Sequence, residues 1–103
     1  GDVATSAVVA EADLVVIDVG TNHTFEGEYF QGRTGGDRKY LTLHPWDVDL
    51  IQRAVEVNKN KNVVVAMTSG QVILVEDFID SVPAVLWMGY PGPLGGQALA
   101  DII

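Results

Sequence analysis

Three short apolar runs, the first two of them rich in β-branched residues, most strongly limit what this chain of 103 residues can fold into. They are Leu14 to Val19, Val63 to Met67 and Ala84 to Met88. Such near-continuous apolar runs are typical of parallel strands that are covered on both faces, whereas half-exposed strands alternate polar and apolar residues. We therefore expect a buried parallel sheet, and we expect the first strand to be covered on both sides.

The segments around these runs carry helix signals. Pro45 suits the first helical position and Asp47 the first turn, and apolar residues then recur at helical spacing to about Asn58. Further helices are expected over 3–10, 76–81 and 97–103, and 72–75 could form a short extra segment. Helices alternating with strands predict an α/β fold with a parallel sheet and right-handed crossovers.

Composition and charge exclude several classes of function. Six basic residues against fourteen acidic ones give a net charge of -8, so the chain lacks the basic cluster that nucleic acid or an anionic membrane requires. The absence of cysteine excludes disulfides and thiolate metal sites. No run approaches the roughly 20 apolar residues of a membrane span, and no signal-peptide layout is present, so the compartment stays open.

The nineteen residues from Gly20 to Arg38 form an unusually long connection after the first strand. Long irregular connections in compact α/β units are often functional, and function gathers at the carboxyl ends of parallel strands. Two carboxylates in this connection, Glu26 and Glu28, have aromatic neighbours that could raise a carboxyl pKa towards neutrality, as general acid–base catalysis requires. Taken alone, each is more simply interpreted as a solvated surface group, and local composition does not decide between the two interpretations. Asp37 and Arg38 are expected to form an ion pair that anchors the end of the connection.

Other candidate motifs favour structural roles. The glycines match neither a dinucleotide nor a P-loop pattern, which disfavours a nucleotide-binding or flavodoxin-like function. His23 and His44 lack the neighbouring ligands that a metal site needs, so no metal or cofactor is expected. His44, beside Pro45, is interpreted as a surface residue or a residue at the start of a helix. Ser69 is interpreted as a turn hydroxyl. Trp46 and Trp87 are both expected to fill the core.

Several ordered motifs resemble one known family. They are 17–28 (IDVGTNHTFEGE), 36–43 (GDRKYLTL), 49–51 (DLI), 63–65 (VVV), 68–72 (TSGQV), 83–87 (PAVLW), Tyr90-Pro91-Gly92, Gly95-Gly96 and 98–101 (ALAD). Together they cover nearly the whole chain and resemble the second, C-terminal domain of glycoside hydrolase family 3, which contains the β-glucosidases. The resemblance implies a three-layer α/β sandwich with a mostly parallel sheet, of which residues 1–103 are a truncated part.

The resemblance also implies a chemistry. Family 3 enzymes retain configuration, using an aspartate nucleophile on an N-terminal TIM-like barrel and a glutamate in the second domain as acid/base. That glutamate corresponds to Glu26, with Glu28 as the alternative, and His23, Phe25 and Tyr29 are candidates for substrate binding. The expected partners are a β-glucoside or oligosaccharide and the barrel domain.

Two further expectations follow from the missing nucleophile. The chain alone should be inactive, and having lost its neighbours it should expose apolar surface and could self-associate. The alternative function is a non-catalytic carbohydrate-binding or scaffold module.

Overall fold

The computed structural model describes residues 5–21, 38 and 40–103. The elements run in the order α1 (Ala7–Glu11), β1 (Val15–Gly20), α2 (Pro45–Val57), β2 (Val63–Thr68), a 3₁₀ helix (Ile79–Ser81), β3 (Ala84–Trp87) and α3 (Gly95–Ile102). The mixed α/β fold predicted from the sequence is confirmed. The helix expected over 76–81 is a turn followed by the 3₁₀ helix.

The three strands form one parallel sheet whose spatial order, β1-β2-β3, follows the sequence. Ile17 lies level with Val65, and Val65 lies level with Val85. Because all three strands point the same way, their carboxyl ends meet at one edge of the sheet. We call this the carboxyl edge, and the opposite one the amino edge.

Helix α2 covers one face of the sheet. The helix begins at Pro45 and has Asp47 in its first turn, as predicted. Its inner face buries Ile51 (0% exposed) and Ala54 (2% exposed). Complete burial of a side chain such as Ile51 contributes about 1.5–3 kcal/mol. Beneath and around the helix lie the other buried apolar residues of this core: Ile17, Val19, Leu43, Val63, Val65, Met67, Ile73, Phe78 and Val82.

The opposite face is only partly covered by the described residues. Val16 is 43% exposed there and Leu14 is 39% exposed. The end of α3 brings Ile102 and Ile103 beside Leu14, around a shallow hollow. The expectation that the first strand is covered on both faces is therefore wrong for the described part of the chain, because Leu14 and Val16 remain exposed on one face of β1.

Trp87 also departs from the prediction. It is 57% exposed rather than buried, because β3 lies at the edge of the described sheet and has a neighbour on one side only. Its indole Nε1–H donates to Ser69 Oγ at 2.9 Å. An apolar run alone does not distinguish an edge strand from a central one.

The segment after β2 is fixed by pairing with the chain just before α2. Thr42 and Leu74 form an isolated parallel bridge, and the Leu74 backbone N–H donates to Leu41 O at 2.9 Å. The possible extra segment at 72–75 is thus a single bridge. No helix in the described ranges is both long and apolar enough to cross a membrane.

The amino edge is closed by asparagines. Asn58 is fully buried just after α2, and its Nδ2 donates to Val9 O (2.8 Å) and Ala12 O (3.0 Å). Its Oδ1 accepts from the Asn62 backbone N–H at 3.0 Å. One side chain therefore ties the end of α1, the end of α2 and the start of β2 together.

Candidate functional site

The carboxyl edge is set by a close approach of β1 and β2 at Gly20. A Cβ placed on Gly20, whose φ is +155°, would lie 1.8 Å from the Thr68 carbonyl oxygen. The next residue continues the contact, since the Thr21 backbone N–H donates to Thr68 O at 2.9 Å. Only glycine fits at this position, so the exit of β1 is held tightly against β2.

An open cleft of about 370 Å³ lies where β1 ends and α2 begins. It combines carboxylates, hydroxyls and an aromatic pair: Asp18, Val19, Gly20, Thr21, His44, Trp46, Asp47 and Thr68. Among the residues that the structure describes, this lining includes no lysine or arginine. The cleft therefore suits a neutral polar ligand better than an anion such as phosphate.

The start of α2 places three of these side chains. His44 is the N-cap, Pro45 occupies the first turn, and Asp47 supplies the acidic residue of that turn. The rings of His44 and Trp46 are stacked, with centroids 4.3 Å apart and planes 9° apart. Trp46 is 63% exposed, so its predicted place in the core is wrong; as the residue after Pro45 it lies on the outer side of the first turn, beside the cleft.

Asp47 lies partly out of water. Burial raises the pKa of its carboxyl above 3.8, and the nearby His44 opposes that rise by electrostatic attraction. Desolvation disfavours the charged form of a carboxyl, so a larger share of Asp47 is protonated at mildly acidic pH than for an exposed aspartate. Asp47 is therefore a carboxyl that can both accept and, when protonated, donate a hydrogen bond.

Arg38 lies at the same edge, against the segment that follows β2. Its backbone N–H donates to Gln71 Oε1 at 3.4 Å, and its guanidinium Nη2 donates to Thr42 O. The Nη1 atom is buried, with no hydrogen-bond partner among the residues that the structure describes. Arg38 thus connects the end of the long connection to two neighbouring segments, while its predicted partner Asp37 lies outside the described residues.

The other predicted site residues also lie outside the described ranges: His23, Phe25, Glu26, Glu28 and Tyr29. The residues on either side of them are placed, however. Thr21 is bonded to Thr68, and Arg38 to the Gln71 side chain, so both flanks of 22–37 are held by residues 68–71. The connection therefore starts and finishes at the carboxyl edge, next to the cleft.

Ser69 has the turn role that its sequence context predicts. It is fully buried, its Oγ donates to Gln71 O at 2.7 Å, and it accepts from the indole of Trp87. A hydroxyl committed in this way is a poor nucleophile. Within 5–21, 38 and 40–103, no three His, Asp or Glu side chains are grouped closely enough to hold a metal ion.

Sequence reasoning missed the cluster of His44, Trp46 and Asp47. It interpreted His44 as a residue at the start of a helix, which is confirmed, but it placed Trp46 in the core. The available signal was Pro45: a proline at the first helical turn fixes its neighbours at the N-terminus of α2, which the α/β topology directs towards the carboxyl edge.

Comparison with known proteins gives a consistent result. The chain is 34% identical over 101 residues to β-D-xylosidase 1 of Arabidopsis thaliana, covering 97% of the chain and 12% of that protein. It is 39% identical over 95 residues to an exo-1,4-β-xylosidase of Emericella nidulans, covering 90% of the chain and 11% of that protein. A crystal structure of a family 3 β-glucosidase from Bifidobacterium adolescentis superposes with a TM-score of 0.76 at 30% identity, covering 90% of the chain and 13% of that structure.

The chain thus spans about one-eighth of the length of the curated relatives it matches. The family model for the glycosyl hydrolase family 3 C-terminal domain matches residues 2–103. The fold, the relatives and the solved structure agree with that match. The chain belongs to the C-terminal domain of glycosyl hydrolase family 3.

Proposed function

We propose that this chain is part of a retaining β-glycosidase, in which Glu26 is the general acid/base. The observation that carries the proposal is the family match over residues 2–103, because it includes the long connection and both of its flanks. The two flanks, Thr21 and Arg38, are held at the carboxyl edge, where α/β domains gather their functional residues.

The chemistry needs two carboxyls about 5–5.5 Å apart on opposite sides of the glycosidic bond. A nucleophilic aspartate, which the resemblance assigns to an N-terminal barrel, attacks the anomeric carbon while the Glu26 carboxyl protonates the departing oxygen. The Glu26 carboxylate then removes a proton from water as that water attacks the glycosyl-enzyme, which frees the aspartate. Residues 1–103 are accordingly a piece of the second domain of a two-domain enzyme, inactive without the barrel.

The substrate class follows from the relatives. Those compared above are named β-xylosidases and a β-glucosidase. We infer that the parent protein removes β-linked xylosyl or glucosyl units from an oligosaccharide or glycoside. Initial rates with 4-nitrophenyl β-xyloside and 4-nitrophenyl β-glucoside show which of the two sugars the protein prefers. If the protein hydrolysed neither substrate, the glycosidase proposal would be contradicted.

The acid/base role is tested by Glu26→Gln in the full-length protein. Hydrolysis of a disaccharide, whose leaving group needs protonation, should slow about 10²- to 10⁴-fold. Bond cleavage in a 2,4-dinitrophenyl glycoside needs no acid, so its slow step becomes attack by water. Azide, a nucleophile that needs no base, should accelerate that step and release a glycosyl azide.

Glu28→Gln is the matched control, because it removes an equivalent charge two residues away. It should retain most of the activity and show no acceleration by azide. If Glu28→Gln showed these effects and Glu26→Gln did not, the role would belong to Glu28. If neither variant showed them, the acid/base glutamate would lie elsewhere.

The sheet face opposite α2, which the described residues cover only in part, suggests that the isolated chain self-associates. Leu14 and Val16 are exposed on the sheet face opposite α2, and α3 ends beside them. In the parent protein we expect this face to be covered, whereas the isolated chain should self-associate through it. A monomeric isolated chain in analytical ultracentrifugation would contradict self-association.

A further inference from the structure

An exposed tryptophan lies in the cleft at the carboxyl edge. Trp46 is 63% exposed, although a folded protein gains by burying such a large apolar side chain. The His44 ring stacks on it with planes 9° apart, a contact that favours this orientation of the indole. Trp46 therefore presents a pre-oriented aromatic surface to solvent, as a binding platform requires.

The neighbouring groups match the polar part of a sugar. Asp18, Asp47 and Thr21 line the same cleft as Trp46, within a volume of about 370 Å³. Carboxylates and hydroxyls bind sugar hydroxyls by hydrogen bonds. The slightly positive C–H groups on one face of a pyranose match the negative face of an indole. An anion would be repelled by the two carboxylates, and the described part of the lining holds no lysine or arginine to offset them.

We propose that Trp46, oriented by His44, is a stacking platform for a pyranose unit of a β-linked oligosaccharide, and that Asp18 and Asp47 bind the hydroxyls of that unit. The proposal rests on the proposed glycosidase function and adds to it a sugar-binding position within this domain. Thr21, which lines the cleft, precedes Glu26 by five residues, and five residues of extended chain span at most roughly 18 Å. That length is short enough for one oligosaccharide to bind at both positions.

The test uses the full-length protein and an S-linked β-disaccharide or trisaccharide of xylose or glucose, which is not hydrolysed. Isothermal titration calorimetry should show about tenfold weaker binding for Trp46→Ala, corresponding to about 1.4 kcal/mol. Trp46→Phe keeps an aromatic face and should restore most of the affinity. Trp87→Ala removes another exposed tryptophan, which lies outside the cleft lining, and should leave the dissociation constant unchanged.

The same comparison in a Glu26→Gln background separates the two proposals. A tenfold loss in that background supports the platform, even if Glu26→Gln proves fully active and the acid/base assignment fails. Slow hydrolysis by Glu26→Gln combined with unchanged binding by Trp46→Ala overturns the platform and leaves the acid/base role standing.

The test also distinguishes two other possible occupants of the cleft, which are another part of the protein and a cation. If Trp46→Ala leaves sugar binding unchanged but lowers the midpoint of thermal unfolding, Trp46 packs against another part of the protein, and the proposal is overturned. The second alternative is a cationic ligand, because the face of an indole and nearby carboxylates both attract a cation. Titration with tetramethylammonium tests this, and binding of that ion, lost in Trp46→Ala while the sugar affinity persists, would overturn the proposal as well.

Discussion

The two ends of the sheet differ in how their polar groups are used. At the amino edge, Asn58 is completely buried and both ends of its amide are bonded to backbone. At the carboxyl edge, Asp18, Asp47 and Trp46 line an open cleft. The amino edge therefore stabilises the fold, whereas the carboxyl edge leaves polar and aromatic side chains available to a ligand.

The difference indicates where substitution should affect stability and where it should affect binding. Hydrogen bonds at the amino edge connect segments distant in sequence, such as Asn58 with Val9 across 49 positions. The cleft depends on backbone geometry instead, above all on the contact of Gly20 with Thr68. Residues important for stability thus lie at the amino edge and residues available for binding lie at the carboxyl edge. Gly20 is the main exception, because it lies at the carboxyl edge but has a structural role.

The largest expected effect tests that exception. Gly20→Ala would place a methyl group 1.8 Å from Thr68 O, a backbone atom that moves only if β1 separates from β2. We expect a loss of about 3–5 kcal/mol, at the upper end for point mutations. Faster hydrogen exchange of amides in β1 and β2, measured by mass spectrometry on the full-length protein, would show it.

Gly96→Ala is the matched control. Gly96 lies in α3, and a Cβ there meets nothing within 4 Å. Alanine should stabilise that helix by about 0.5–1 kcal/mol, because glycine is the poorer helix former. If the amides of β1 and β2 were equally protected from hydrogen exchange in Gly20→Ala and Gly96→Ala, the close approach of the two strands at the carboxyl edge would be contradicted.

The second effect tests the amino edge. Asn58→Ala removes three hydrogen bonds and leaves the carbonyls of Val9 and Ala12 with fewer partners. We expect a loss of about 3 kcal/mol, since each buried bond contributes about 1 kcal/mol. Chemical denaturation of the full-length protein, followed by hydrogen exchange in α1 and α2, measures it.

Asn60 provides a control of the same residue type. It donates to the same acceptor, Ala12 O, at 2.9 Å, but it is exposed, so water can replace the bond. Asn60→Ala should cost less than about 1 kcal/mol. If the two variants were equally destabilised, burial would not be what gives Asn58 its importance.

The sequence predicted the larger features because they depend on short-range patterns. Continuous apolar runs located all three strands, and Pro45 and Asp47 located the start of α2. The apolar spacing that stops at about Asn58 correctly located the end of that helix at Val57. These signals act within a few residues, so one chain suffices to interpret them.

The errors concern relations between distant segments. Trp87 was expected in the core, but only the strand order shows that β3 is an edge of the described sheet. Trp46 was expected there too, yet the stack with His44 and the cleft beside β1 arise only once α2 packs on the sheet. The roles of Asn58 and Gly20 likewise depend on contacts across more than forty positions.

The smallest expected effect concerns Asp47 in the cleft. Burial raises its pKa in the folded state above 3.8, and the electrostatic attraction of His44 offsets only part of that rise. The folded state therefore binds this proton more tightly than the unfolded state does. The contribution of Asp47 to stability is complete below pH 3.8 and is lost as pH rises through the folded-state pKa.

Asp47→Asn removes the ionisable carboxyl, so the variant does not lose this stability as pH rises. The variant should gain stability relative to wild type as pH rises above about 4. The gain at pH 7 should be well below about 1 kcal/mol, because water screens a carboxyl that is only partly buried. Thermal unfolding of the full-length protein between pH 3 and pH 7 measures the gain. Asp49→Asn is the control, because Asp49 is exposed and pairs with Arg53 at 3.3 Å, so its loss should slightly lower stability at pH 7. If both variants changed in the same direction, the partial burial of Asp47 would not control its charge, and the cleft would be as open to water as the outer face of α2.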